Sequence, residues 1–261
     1  MQDPILAFDA EDSAPELFPL RQFESAVTPE FTAAHADAPA TLPSGGDFHN
    51  VFPIHDGSGD VAVILGDVAG HGEEQTAQAD HMCELLSDCL AIGMSPADTL
   101  TAVNAMVEPD PNFPVFGTVF AGTIEANTGK LTYASGGHEP ALIAEPADAG
   151  APMVAELEGT GPPVGAFPPN VASFDQHEAH IASGSTLLVY SDGVSEVRTA
   201  DKHRDWFGVD RLKIILAELA VLPPRRLVSE LMQRVAQFCR GRFHDDVSIL
   251  AVRRQTSGRR K

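Results

Sequence analysis

Apolar residues in this chain follow two rhythms, and the order in which those rhythms come limits the fold more than any single motif does. Strand-like stretches open the chain in "EFTAAHAD", around Phe48 to Ile54, and in "VAVIL" (61–65), with the glycine-rich hairpin turn "DGSGD" (56–60) before the last. Helical spacing then takes over from Glu73 to Ile92, where Ala77, Leu85, Leu86, Cys89 and Leu90 recur. A second helix starts at "SPAD", with Ser95 as N-cap, Pro96 at the first position and Asp98 at the third, and runs to about Val107. Strands return in "VFGTVFAGTIEANTGKLTYASGGHEPALIAE", read as strand, turn, strand, turn, strand, and in "TLLVYSDG" (186–193). Residues 145 to 162 read as a loop or weak strand. Two helices follow near 208–220 and 224–240, and "DDVSILAV" (245–252) leads into a final strand. Strands grouped between pairs of helices predict an α+β fold with mostly antiparallel sheets, rather than a doubly wound parallel one. No internal repeat or linker interrupts the pattern, so one domain is expected.

A chain of 261 residues with 43% hydrophobic and 21% charged residues has the composition of a globular protein able to bury its own core. Its formal net charge of −20, from 37 acids against 17 bases, repels nucleic acid and anionic membrane. Phosphates would need local help, such as metal ions. The exception is the basic end, "RRQTSGRRK", expected to be a solvated terminus. Cys83, Cys89 and Cys239 are odd in number and lie outside any C-x-x-C pair, which predicts reduced, core-packed thiols and a cytoplasmic protein. The N-terminus carries no signal-peptide pattern, and no apolar run is long enough for a membrane helix.

Acids sit where strands meet turns. Asp47 follows Gly45-Gly46, Asp67 and Asp192 are expected to end strands, and Asp245 and Asp246 lead into one. Each alone is compatible with a turn or a helix cap. Together they would converge at one end of a sheet sandwich, where several carboxylates cannot all stay ionised without compensation. Oxygen-only donors select Mg²⁺ or Mn²⁺, and no His/Cys spacing of a zinc site is present.

The segments "GGDFHNVF", "LGDVAGHG", "FGTVFAGTIEANTGKLTYASGGHEPALI", "GPPVGAF", "LLVYSDGVSEVR", "WFGVDRL" and "DDVSILAV" come in an order and spacing that resemble the PPM (type 2C-like) metal-dependent serine/threonine phosphatases, in their bacterial SpoIIE-like branch. The resemblance covers residues 28–253, leaving 1–27 as an N-terminal tail or helical lead-in and 254–261 as a basic C-terminal tail. It implies a four-layer α-β-β-α sandwich holding two Mn²⁺ or Mg²⁺ ions. By motif match Asp67 would bridge both ions. The Val68 carbonyl would bind the second, Asp192 and Asp245 the first, and Asp47 would serve the second directly or through water. Asp246 is the further neighbour of the set. Glycines 66, 70 and 72 would let the backbone turn and bring the Val68 carbonyl to the ion. The implied reaction is hydrolysis of phosphoserine or phosphothreonine on a partner protein, such as an anti-anti-sigma factor, in a cytoplasmic stress-response setting.

Other features depart from that pattern. His71 stands where many relatives carry lysine and is read as a turn residue, with general-acid chemistry as the alternative. His138 is read as a structural turn histidine, while His49 and His244 flank proposed ligands. No arginine lies near Asp47 in sequence to bind phosphate. The helix after Gly72 starts unusually polar, in a region the resemblance links to activation, so an activating protein partner is expected. A phosphatase-like binding module with little catalysis is the alternative function. A nucleotide cyclase, suggested by "GGDF", lacks the further acid such a signature needs.

Overall fold

The computed structural model describes residues 21–38, 45–54, 57–107, 115–146, 152–159, 161–199 and 205–256, apart from the His71 side chain. In chain order the elements are β1 (Arg21–Thr28), β2 (Phe31–Ala38), β3 (Gly45–Pro53), β4 (Val61–His71), α1 (Glu73–Ala91), α2 (Pro96–Met106), β5 (Gly117–Ile124), β6 (Lys130–Gly136), β7 (Leu142–Glu145), β8 (Met153–Glu156), β9 (His177–His180), β10 (Thr186–Tyr190), α3 (Asp192–Ser195), α4 (Gly208–Leu219), α5 (Pro224–Phe238) and β11 (Val247–Arg254). The strands form a six-stranded sheet, β1-β2-β11-β10-β7-β8, and a five-stranded sheet, β3-β4-β5-β6-β9. Every ladder between these strands is antiparallel.

Three apolar layers separate four structural ones. Val61, Val63 and Leu65 of β4 meet Leu187, Val189, Leu250 and Val252 between the sheets. Ala62 and Ile64, on the opposite side of β4, pack on Met82, Leu86 and Leu90 of α1 and Leu100 and Val103 of α2. Leu188, Tyr190 and Ile249 of the other sheet pack on Leu212 and Ile215 of α4 and Leu227, Leu231 and Val235 of α5. Burial on both faces is why "VAVIL" and "TLLVY" read as unbroken apolar runs. The expected α-β-β-α sandwich is therefore the observed one. The Ser95 hydroxyl caps α2 by accepting from the Asp98 N–H at 3.2 Å. Among the described residues no helix is long and apolar enough to cross a membrane, and the three cysteines are free.

Four expectations need correction. Residues 21–27, expected in a tail or helical lead-in, belong to β1, which pairs with β2 along the edge of the six-stranded sheet. Residues 1–20 lie outside the described set. The expected basic tail starts inside β11, and Arg254 is a structural clamp: its guanidinium donates to the carbonyls of Ala126, Asn127, Thr128 and Ile181 at 2.8–3.1 Å. Residues 257–261 lie outside the described set. Strand β4 does not stop at Gly66 but runs to His71, so Asp67 lies within a strand. Gly66 is also no turn residue, because a Cβ there would fall 2.4 Å from the Phe48 ring and 2.6 Å from the Thr118 carbonyl oxygen. Gly70 and Gly72, in contrast, have φ of 112° and 111° and make the turn into α1.

Candidate metal centre

The apolar layer between the sheets ends in a polar one. Asp67 continues the inward-facing series Val61, Val63, Leu65 along β4, and its Cα partners are Asp47 on β3 and Thr118 on β5. From the opposite sheet come Ser191 and Asp192, at the junction of β10 and α3, and Asp245 and Asp246, just before β11. Asp67, Thr118, Asp192, His244, Asp245 and Asp246 line one cleft of about 440 Å³, together with Phe116 and Pro163. All five acids singled out in the sequence thus come to one end of the sandwich, four on the cleft wall and Asp47 beside Asp67 on the neighbouring strand.

A register slip shapes the floor. Gly45 pairs with His71 and Asp47 with Asp67, so residues 68–70 of β4 face Gly46 alone. Bulges of this kind re-aim backbone groups beside functional sites. A Cβ on Gly46 would fall 2.0 Å from the Val68 carbonyl oxygen and 2.7 Å from Asp67 Oδ1. The two oxygens therefore converge on one place that only glycine leaves open. Gly45 does the same for Asp246, whose Oδ2 would lie 1.1 Å from a Cβ there.

Hydrogen bonds tie the two sheets together at this end. Ser191 Oγ donates to Asp47 Oδ2 at 3.0 Å and accepts from the Ser248 N–H at 2.9 Å. Asp47 Oδ1 is buried and has no hydrogen-bond partner. Asp245 Oδ1 accepts from the Asp246 N–H at 2.9 Å. On the other flank His138 Nδ1 lies 2.9 Å from Thr118 Oγ1. His138 is the buried turn residue expected of it, but it also touches the cleft wall. His244 lines the cleft. His49 stacks on His35 at 3.4 Å between ring centroids, and His35 Nδ1 lies 3.6 Å from Asp37 Oδ1. The His71 side chain lies outside the described residues.

The electrostatics are those of crowded like charges. Burial, then the neighbouring Asp67 charge, holds the Asp47 carboxyl well above the usual range. Burial, then Asp192, Asp245 and Asp246, pushes Asp67 up to about 7. Burial, then Asp245, Glu196 and Glu139, pushes Asp192 to about 6. Among the described residues no three His, Cys, Asp or Glu side chains form a ready-made metal cage; the carboxylates spread around the cleft, as mutual repulsion favours. The donor set nonetheless fits a hard divalent cation: it is all oxygen, it includes an unpartnered buried carboxylate oxygen, and a backbone carbonyl meets Asp67 at a glycine cradle.

Thr118, Ser191 and Ser248 are missed by reading acids alone. Alternation along β4 and β5 would have put Thr118 beside Asp67, and Ser191 directly precedes a candidate ligand.

Comparison with known proteins bears on this cleft. The family model described as Stage II sporulation protein E (SpoIIE) matches residues 57–255. The phosphoserine phosphatase RsbU of Bacillus subtilis (strain 168) is 25% identical over 196 residues, which cover 75% of this chain and 56% of RsbU. The chain thus spans about half the length of that relative. The structure of the RsbU and RsbW domains of Rv1364c from Mycobacterium tuberculosis superposes with a TM-score of 0.75 at 25% identity, covering 89% of this chain and 62% of that one. The PP2C phosphatase domain of the cell fate determinant SpoIIE from Bacillus subtilis superposes with a TM-score of 0.67 at 16% identity, covering 90% and 71%.

Proposed function

Since the chain belongs to the SpoIIE family, we propose that it is a metal-dependent protein phosphatase that hydrolyses phosphoserine or phosphothreonine on a regulatory protein. One observation carries the reading: Asp67, Asp192, Asp245 and Asp246 line one cleft with Asp47 beside Asp67, and burial and mutual repulsion raise the proton affinity of Asp47, Asp67 and Asp192. Likeness to a relative named a phosphoserine phosphatase supports the residue class acted on.

Asp67, with the Val68 carbonyl and Asp47, would hold one Mn²⁺ or Mg²⁺ ion, and Asp67 with Asp192 and Asp245 the other. Asp246 stands beside the pair. Bound cations would supply the positive charge that receives a phosphoryl group and acidifies water. The chain's own residues prepare that chemistry. Ser191 fixes the Asp47 carboxylate from the opposite sheet, so that both sheets set the position of the donors. Thr118 presents a hydroxyl in line with Asp47 and Asp67 across three strands, and His138 holds that hydroxyl in place.

A phosphorylated small regulator of the anti-anti-sigma type is the substrate class this reading favours, acting in the cytoplasm. An activating partner would contact the polar start of α1, which leaves the cleft at Gly72. The deciding experiment is Mn²⁺-dependent phosphate release from a phosphothreonine peptide, comparing the wild-type chain with Asp192→Asn. Release that requires the ion and vanishes in the variant supports the reading; release that survives Asp192→Asn overturns it.

A further inference from the structure

A second cleft of about 260 Å³ adjoins the first and shares Asp192, His244 and Asp245 with it. Its remaining wall is Gly193, Glu196, Val197, Arg198 and Thr199. Arg198 is the one Lys or Arg among the described residues that line either cleft. Three acids line the same compartment, yet among the described residues Arg198 forms no ion pair. Its guanidinium instead lies 4.3 Å from the centroid of the Trp206 ring. An aromatic face beneath a guanidinium fixes its plane and leaves the in-plane N–H groups directed outward, the geometry that receives an oxyanion through two parallel hydrogen bonds.

The platform is rigidly rooted. Arg198 and Trp206 pair as an antiparallel bridge, and the Phe207 N–H donates to the Val197 carbonyl at 2.8 Å. Phe207 is buried and meets Phe238 edge-on at 5.3 Å. Arg211 Nη1 donates to the carbonyls of both Trp206 and Phe207 at 2.7 Å. Trp206 itself is 48% exposed. A rigid, exposed Trp–Arg pair has the composition of an interface hot spot.

We propose that Arg198, held on Trp206, docks the phosphoprotein substrate by binding a carboxylate side chain next to the phosphorylated residue. The proposal rests on the phosphatase reading of the neighbouring cleft and names the part of the substrate that reaches beyond it. Arg198 lines only the second compartment, so it meets the chain flanking the phosphoryl group rather than the phosphoryl group itself. Glu196 opposes the same carboxylate and limits how tightly it is held.

Trp206 is the only tryptophan in the chain and is thus a built-in reporter. The test uses peptides carrying a non-hydrolysable phosphonate analogue of phosphoserine, flanked either by glutamates or by serines, titrated into the full chain with Mn²⁺ and read by Trp206 fluorescence and calorimetry. The glutamate peptide is expected to bind about tenfold tighter, the range of one well-formed charged contact. Arg198→Ala should erase that preference, Arg198→Lys should keep part of it, and Glu196→Gln should enlarge it. Thermal melts show whether each variant is folded. Equal affinity for the two peptides, no binding of either, or a preference that survives Arg198→Ala overturns the proposal. An Arg198→Ala loss that is the same for both peptides also overturns it, because the guanidinium then serves the phosphoryl group. Phosphate release by the wild-type chain from the corresponding phosphoserine peptides separates the two readings. Release without flank preference sinks the docking site alone, while flank-selective binding without release sinks the phosphatase reading alone.

Discussion

His138 Nδ1 and Thr118 Oγ1 lie 2.9 Å apart, joining a histidine only 6% exposed to a hydroxyl on the wall of the acidic cleft. Burial holds the imidazole neutral, with its pKa lowered to about 3. The pair therefore positions a hydroxyl rather than a charge. Thr118→Val should lower kcat/KM for a phosphopeptide by about tenfold, the worth of one hydrogen bond at a reacting site, whereas Thr118→Ser should stay close to wild type. Phosphate-release kinetics on both variants check this, and a loss in Thr118→Ser but not in Thr118→Val would show that the methyl group matters instead of the hydroxyl.

Gly46 leaves room where the Val68 carbonyl and Asp67 Oδ1 converge. Gly46→Ala puts a methyl group 2.0 Å from that carbonyl, so the bulge must move. Mn²⁺ affinity by calorimetry should fall by about tenfold or more, and stability by about 1–3 kcal/mol. An alanine variant that binds the ion normally would remove Val68 from the donor set.

Asp67 carries a folded-state pKa of about 7, above its unfolded value. A raised carboxylate pKa means the charged form is disfavoured in the fold, so the penalty is full above about pH 7 and disappears as pH falls toward the unfolded value near 3.8. In chelator at pH 8, Asp67→Asn should therefore be more stable than wild type by about 1–3 kcal/mol in denaturant unfolding, and the gap should close by pH 4. The same variant should lose phosphate release. A variant less stable than wild type at pH 8 would show that Asp67 is not repelled by its neighbours.

Behind the acids, His35 and His49 stack between the sheets. Burial, then the His49 charge, lowers His35 to about 3, and burial lowers His49 to about 4. Unfolded histidines bind protons from about pH 6.5 downward while these two stay neutral, so stability falls as pH drops from about 6.5 toward 4, by up to about 1.4 kcal/mol per pH unit for each ring. This runs opposite to the Asp67 effect. His35→Gln isolates it: the difference in unfolding free energy between variant and wild type should shift in favour of the variant as pH is lowered through this window.

Arg254 donates to four backbone carbonyls across two loops. Arg254→Met keeps much of the side-chain stem and removes the donors, and should cost about 2 kcal/mol in denaturant unfolding. A melt unchanged from wild type would mean that water replaces the clamp without loss.

What could be read in the sequence divides along physical lines. Strands buried on both faces announce themselves, as "VAVIL" and "TLLVY" do, because their composition records the burial. The Ser95 cap and the turns at Gly57 and Gly59 are local chemistry and need no tertiary context. Edge strands are different. β1 ("RQFESAVT") is largely exposed, and β9 ("HEAH") alternates between half-buried and exposed, so neither carries an apolar signature. Both exist because β2 and β6 offer them a partner. The acids were legible as a set, since charge at the mouth of a buried strand is conspicuous. The slip that turns the Val68 carbonyl was not, because it depends on three residues of β4 facing one of β3. Nor was the Arg198–Trp206 stack, which joins residues eight positions apart in the sequence.

Asp47 and Asp67 ride on one sheet, while Asp192, Asp245 and Asp246 stand just outside the ends of β10 and β11 of the other, with Ser191 reaching across. The centre is thus a caliper whose jaws are the two sheets. Sliding one against the other by about 1 Å would change every donor spacing that crosses the sheets at once, enough to idle the chemistry without unfolding anything. Whatever presses on α1 or α5 would therefore have a mechanical handle on the proposed catalysis.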